Sequence, residues 1–189
     1  VEIDEVRDLM GEYSARLGIP EPQVCEGRVA PRNPTGLEPR RRRRRMELVV
    51  GQRFAELERP DQEALLACAV AACALVPAVR RRTSVYGIVL AVSLIAADIA
   101  LGIEMPILLW LPCYLVLYFG GYYFGVIFFL RSLCYRVDHM VAYFFGWAML
   151  DALLEYEREN PDTRWLVRLV SPSRERRMAR LDRLRATAG

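Results

Sequence analysis

Few residues in this chain can do chemistry, and they sit in a recognisable pattern. His139 is the only histidine; it follows Asp138 directly and lies five residues after Cys134. Cys68 and Cys73 stand on an earlier apolar stretch. Thiolate and imidazole suit zinc, so Cys68, Cys134 and His139 form a candidate donor set, with Cys73 next in line. The plainer reading is that the cysteines are small buried residues on apolar helices and the histidine is structural. Asp138 and His139 could form an acid–base couple; the plainer alternative pairs Asp138 with Arg131 or Arg136. A Ser-His-Asp arrangement would have to use His139, and no serine is marked for it. There is no GxSxG elbow and no glycine-rich phosphate loop. The five cysteines, Cys25, Cys68, Cys73, Cys113 and Cys134, are odd in number, and Cys113 falls in an apolar run. They read as reduced thiols rather than a disulfide framework.

The elements that must position these residues follow from periodicity. Residues 2–17 place Ile3, Val6, Leu9, Met10, Tyr13 and Leu17 on one helical face, and Gly18 stops that helix. Its charged start is not a signal-peptide pattern. Pro20 and Pro22 introduce an extended piece, Gln23-Val24-Cys25. Residues 27–39 read as loop, Met46–Val50 as a strand and residues 51–58 as a short helix. Asp61 suits the first turn of the next helix, whose dipole favours negative charge there. From Ala64 to Val79 this helix is apolar on every side, and Arg80-Arg81-Arg82 ends it. Residues 131–159 read as one long helix ended by Asn160-Pro161, and residues 162–170 and 173–185 as two more.

Hydrophobic residues make up 53% and charged residues 26% of the 189. Those fractions separate along the chain, because residues 84–130 hold two acids, Asp98 and Glu104, and no base. Val85–Ile103 and Ile107–Leu130 are each close to the roughly 20 apolar residues that cross a bilayer. The tight connection Glu104-Met105-Pro106 makes them a hairpin. Gly120, Gly121 and Gly125 permit close helix contact, and Trp110, Tyr114, Tyr118, Tyr122 and Tyr123 supply interfacial and packing aromatics. Arg80–Arg82 and Arg131 flank the hairpin, whereas its connection has no arginine, so the positive-inside rule puts both soluble parts in the cytoplasm. Asp98 is expected to be structural, reaching interfacial water or bonding Tyr114 or Tyr118; the functional alternative stays open.

All 26 basic residues are arginine and the net charge is only +3, which does not argue for nucleic acid. The run Arg40, Arg41, Arg42, Arg43, Arg44, Arg45 is read as a mobile loop touching anionic lipid headgroups, since a hairpin already holds the domain near them. A plain solvated loop is the alternative. Arg174, Arg176, Arg177, Arg180, Arg183 and Arg185 would add to the same surface.

The order of elements resembles the membrane-bound M48 zinc metallopeptidases. Leu17-Gly18-Ile19-Pro20-Glu21-Pro22-Gln23-Val24 is similar to that family's segment after the first helix. Asp61–Ala67 resembles the run leading into HExxH, and Cys134-Tyr135-Arg136-Val137-Asp138 falls where ExxxD belongs. Ser171-Pro172 with Arg177 resembles the closing HP-x4-R motif. The resemblance implies a zinc site, but the residues at its positions depart from it. Cys68 stands for the first histidine, Ala69 for the general base, Ala72 for the second histidine and Cys134 for the third ligand; Asp138 alone matches. Hydrolysis at such a site needs those donors and that base, so the family's mechanism cannot run.

The expected fold is α-rich α+β: a metallopeptidase-like helical core, residues 1–83 and 131–189, cytoplasmic and interrupted by a two-helix transmembrane hairpin over 84–130. The expected function is that of a non-catalytic pseudopeptidase, integral to the membrane with both termini cytoplasmic, that binds or scaffolds a membrane partner. No cofactor is expected, zinc being the alternative. The competing functional reading is a membrane enzyme, either a divergent metallopeptidase or new chemistry in the old cleft through Cys68, Cys134, Asp138 or His139.

Overall fold

The computed structural model describes residues 3–42, 45–101, 107–162 and 165–188. The chain is helix-rich, with a small sheet and two long apolar helices. Helix α1, Ile3–Leu17, buries Val6, Met10 and Tyr13, the stripe read from its periodicity. Strand β1 is Gln23–Glu26, β2 is Leu37–Arg42 and β3 is Arg45–Val50. The sheet order is β1-β3-β2. β1 runs parallel to β3 with Gln23 opposite Glu47, and β2 runs antiparallel to β3 with Leu37 opposite Val50 and Arg42 opposite Arg45.

Strand β2 corrects two expectations. Residues 37–39 are strand rather than loop, and Arg40–Arg42 and Arg45 belong to paired strands rather than a mobile loop. Repulsion along the run is relieved locally: Arg40 donates to both carboxylate oxygens of Glu38 at 3.0 Å and stands opposite Glu47. Cross-strand opposite charges stabilise such pairs. Pro39 is tolerated because β2 is an edge strand. Arg43, Arg44 and the Arg41 side chain lie outside the described residues.

The loop before β2 is fastened from within. Asn33 is buried and donates to the Leu37 carbonyl at 2.7 Å, while its own oxygen accepts from the Thr35 hydroxyl at 2.8 Å. Gly36 has φ +65°, and a Cβ there would lie 2.5 Å from the Phe54 nitrogen, so both conformation and space require glycine. The short helix α2, Gln52–Ala55, follows, and buried Gln62 donates to the carbonyls of Phe54 and Leu57 at 2.9 and 3.0 Å.

Helix α3 runs unbroken from Arg59 to Leu101, 43 residues, and α4 from Ile107 to Phe145, 39 residues. The arginine triplet therefore does not end a helix. A change of side-chain charge removes no backbone hydrogen bond, and arginine is a good helix former; Thr83 even adds hydroxyl bonds back to the Val79 and Arg80 carbonyls at 3.1 and 2.9 Å. The single helix expected over residues 131–159 is instead two. Gly146, with φ +96° and ψ 161°, separates α4 from α5, Trp147–Glu159, a backbone state open essentially to glycine alone. Helices α6, Trp165–Val170, and α7, Arg174–Ala188, complete the chain.

One core unites α1, the sheet, α5 and the halves of α3 and α4 remote from their connection. It includes Leu48, Leu66, Val70, Val141, Leu150 and Leu154. Beyond it α3 and α4 continue side by side, touching each other and little else. Two helices are long and apolar enough to cross a membrane. Their contact is close where glycines face bulky side chains: a Cβ on Gly125 would lie 2.1 Å from the Tyr86 ring, on Gly121 3.1 Å from Leu90, and on Gly87 3.1 Å from Tyr122. Gly120 faces open space and takes no part. The connection Glu104-Met105-Pro106 lies outside the described residues.

Candidate functional site

Of the residues expected to carry chemistry, Cys68, Cys134 and Asp138 converge at the junction of α3, α4, α5 and α7, whereas Cys73 lies apart, lining a cavity with Ile19, Pro20 and Arg45. On α3, Cys68 and Ala72 are one turn apart, and both pack with Ala69 on the edge of the core without being closed off. On α4, Cys134 and Asp138 are likewise one turn apart on one face. From α7, Arg177 reaches Asp138 side-on: Nε donates to Oδ2 at 2.8 Å and Nη2 to Oδ1 at 2.6 Å. The Asp138 and Arg177 side chains are only 1% and 8% exposed. The third arm, Nη1, donates to Glu157 of α5.

This geometry corrects the expected partner of Asp138. Neither Arg131 nor Arg136 pairs with it; Arg131 instead donates to the Leu169 carbonyl at 3.0 Å. It also removes Arg177 from the arginines expected to face the membrane surface. Arg174 pairs with Glu155 at 3.1 Å, and the Arg180 guanidinium sits 4.6 Å over the Tyr135 ring. The Arg185 side chain lies outside the described residues. Glu157 is not singled out by the sequence, although a signal exists: the buried stripe Leu150, Leu153, Leu154 leads to this acid one turn later, at the half-exposed edge of the core.

His139 does not join the cluster. It points outward, exposed, and stacks on the exposed Tyr143 ring with centroids 6.2 Å apart. Asp98 also has a different partner from those expected. The Trp110 indole donates to it at 2.8 Å, while the Tyr114 hydroxyl donates to the Ala91 carbonyl at 3.2 Å.

The electrostatics quiet the thiols. Burial pushes the Cys68 thiol up to about 12, with Glu157, Asp138 and Cys134 adding to the rise and Arg177 opposing it. Burial likewise raises Cys134, against the pull of Arg177. A protonated thiol is a weak nucleophile and must lose its proton to bind metal. Both Asp138 oxygens accept from Arg177, and Ala69 and Ala72 beside Cys68 can neither take a proton nor bind a metal. Among the described residues, no three of His, Cys, Asp and Glu are grouped to hold a metal ion. The donor set does not fit catalytic zinc.

No family model, curated protein or solved structure matches this chain. The site is therefore read on its own chemistry. It is a closed ion-pair junction that ties α7 and α5 to α4 beside a small-residue face of α3.

Proposed function

We propose that this chain is a membrane-anchored, non-catalytic protein. In this reading an M48-peptidase-like soluble domain, cytoplasmic at both termini, is held at the bilayer by its helical hairpin and binds or scaffolds a membrane partner. The observation that carries the proposal is a change of surroundings within two continuous helices. The first part of α3 buries Ala64, Leu65, Leu66, Ala67, Val70 and Ala71, whereas the second leaves Val85, Ile88, Val89, Val92, Ile95 and Ile99 exposed. Soluble proteins rarely leave so large a contiguous apolar surface bare, and hydrocarbon is its natural solvent.

The junction supports the non-catalytic part. Ala69 cannot take a proton, Ala72 cannot bind a metal, and the Cys68 thiol stays protonated. Scaffolding needs only a rigid body with an anchored orientation, which the Asp138–Arg177–Glu157 tie supplies. Contact of the arginine strands with anionic headgroups has geometric support too. Arg45 and Met46 line one cavity with Cys73, Ala74 and Pro77 of α3, one turn before Arg80.

The deciding experiment treats membranes containing the full chain with alkaline carbonate and assays the purified protein for proteolysis with and without a chelator. The chain should stay with the membrane, and reporters fused at the C-terminus and within residues 104–106 should read opposite sides. Release by carbonate overturns the anchor. Chelator-sensitive cleavage of casein overturns the non-catalytic reading.

A further inference from the structure

Where α3 leaves the core, Ala78, Arg81, Arg82, Val85, Tyr86 and Val89 line a groove of about 530 Å³ completed by Phe129 of α4. On α3 these residues run along one stripe, about 16 Å from end to end at the helical rise of 1.5 Å per residue. The stripe has a polar end and an apolar end. Arg81 and Arg82 are exposed, and among the described residues neither has an ion-pair partner. No acid lines the groove. Val85, Val89 and Phe129 make the apolar end.

The floor is held in place. The Tyr86 hydroxyl donates to the Gly121 carbonyl at 3.0 Å, and its ring meets Phe129 edge-on at 5.6 Å. The ring lies against Gly125, where a Cβ would come within 2.1 Å of it. A glycine on α4 thus lets Tyr86 sink into the helix contact, leaving a recess between the arginines and Phe129.

We propose that this groove binds one anionic phospholipid from the leaflet facing the soluble domain. Its phosphate is held by Arg81 and Arg82, and the upper part of an acyl chain lies along Val85, Val89 and Phe129. Two cations at one end and hydrocarbon at the other match an amphiphile with a negative head, and they match neither a free anion nor a wholly apolar ligand. Guanidinium is suited to a phosphate because its planar fork donates two hydrogen bonds at once. The site rests on the membrane reading above and gives it a specific lipid partner, at a place separate from the arginine strands.

The test reconstitutes the full chain in nanodiscs with equal amounts of phosphatidylcholine and phosphatidylglycerol. Lipid retained after mild detergent extraction is counted by native mass spectrometry. One phosphatidylglycerol should remain, preferred about thirtyfold over the neutral lipid if each arginine contributes as basic groups do at anionic surfaces. The Arg81→Gln/Arg82→Gln variant should lose most of that preference. Val89→Trp, which fills the apolar end and leaves the arginines, should lose the retained lipid as well. Arg42→Gln/Arg45→Gln should retain it. Soluble glycerol phosphate should not compete.

An undiminished preference in the Arg81/Arg82 variant overturns the site, as does competition by glycerol phosphate, which would mean anion binding without a chain. A change from dimer to monomer on Val89→Trp would identify a second copy as the occupant and overturn it too. Carbonate release of the wild-type chain would fail the membrane reading itself. A chain that stays in the membrane without retaining phosphatidylglycerol fails only this site. Circular dichroism and a single elution peak for each variant separate lost binding from lost folding.

Discussion

Helices α3 and α4 each live in two surroundings, and the two halves solve the same packing problem differently. In the core half, Leu66 and Val70 are fully buried among α1, the sheet and α5. There the polar ties between elements include a buried ionic one, Asp138 to Arg177, beside hydrogen bonds such as Tyr156 to the Pro34 carbonyl. In the hairpin half, Val92 is 60% and Ile99 75% exposed, and the ties are single hydrogen bonds, Tyr86 to Gly121, Tyr114 to Ala91 and Trp110 to Asp98. The core half fills its space with leucine and valine set among buried alanines such as Ala64, Ala67 and Ala71. In the hairpin half close approach comes from deleting side chains at Gly87, Gly121 and Gly125. The difference shows that burial within the chain organises one half, and that backbone proximity organises the other, as expected where the surroundings are as apolar as the side chains.

The largest effect expected is on the core-half tie. Arg177→Ala leaves Asp138 as an uncompensated carboxylate in a closed site, a loss of about 3–5 kcal/mol. Denaturant unfolding in mild detergent, followed by far-ultraviolet circular dichroism, measures it. The paired change Asp138→Leu/Arg177→Met should recover much of that loss, because no charge is left stranded. If the single variant unfolds like wild type, the junction does not hold the core half together.

How far this contrast could be read in advance depends on the range of the interactions. The α1 stripe, the extended piece at Val24, the strand ending at Val50 and the two apolar runs are local patterns, and each was legible. Strand β2 was not, because its stability comes from pairing with β3 and from Glu38 and Glu47 around Arg40. The continuity of α3 through Arg80–Arg82 has no signal in the charge pattern, because a change of side-chain charge breaks no backbone hydrogen bond. The sequence groups Cys68 and Cys134 with His139, yet the helical turn that sets Cys134 and Asp138 on one face of α4 carries His139 out to solvent. The roles of Arg177 and Glu157 depend on where α7 and α5 fold back, which no local pattern encodes.

The second effect tests the surroundings of the hairpin half. Val92→Arg places a charge on an exposed face midway along the apolar part of α3. At the centre of a spanning helix this costs about 2.5–3.5 kcal/mol of insertion. The variant should appear in the soluble or aggregated fraction, whereas wild type stays in membranes. If membrane recovery is unchanged or solubility improves, this face meets water and the comparison collapses.

A smaller effect separates the glycines. Gly125→Ala forces a methyl group against the Tyr86 ring and should destabilise the hairpin by about 1–3 kcal/mol, the usual range for overpacking. Gly120→Ala meets nothing within 4 Å and should be neutral or stabilising by up to about 1 kcal/mol through helix propensity. Thermal unfolding of both variants in the same detergent gives the difference. Equal effects would mean that glycine matters here for backbone freedom rather than for space.

The smallest effect, absent at neutral pH, comes from the thiols and reads both halves in one experiment. Alkylation needs thiolate. With Cys68 pushed up to about 12 and Cys73 to about 11 by burial, iodoacetamide at pH 8 should modify Cys25 of β1 well before either. Cys113, exposed on the hairpin half, should escape a charged, water-soluble maleimide in proteoliposomes and react once the chain is unfolded. The stability consequence has a definite sign. Below pH 9 the Cys68 thiol keeps its proton in both the folded and the unfolded chain, and its contribution is fully present. Between about pH 9 and 12 the unfolded chain ionises while the folded one does not, so stability falls as pH rises. Cys68→Ala removes this one contribution. The loss of denaturant midpoint between pH 8 and 10.5 should therefore be smaller in that variant than in wild type. An identical loss in both would mean that water reaches the Cys68 thiol when folded, and that its partly buried place at the core edge does not hold its proton.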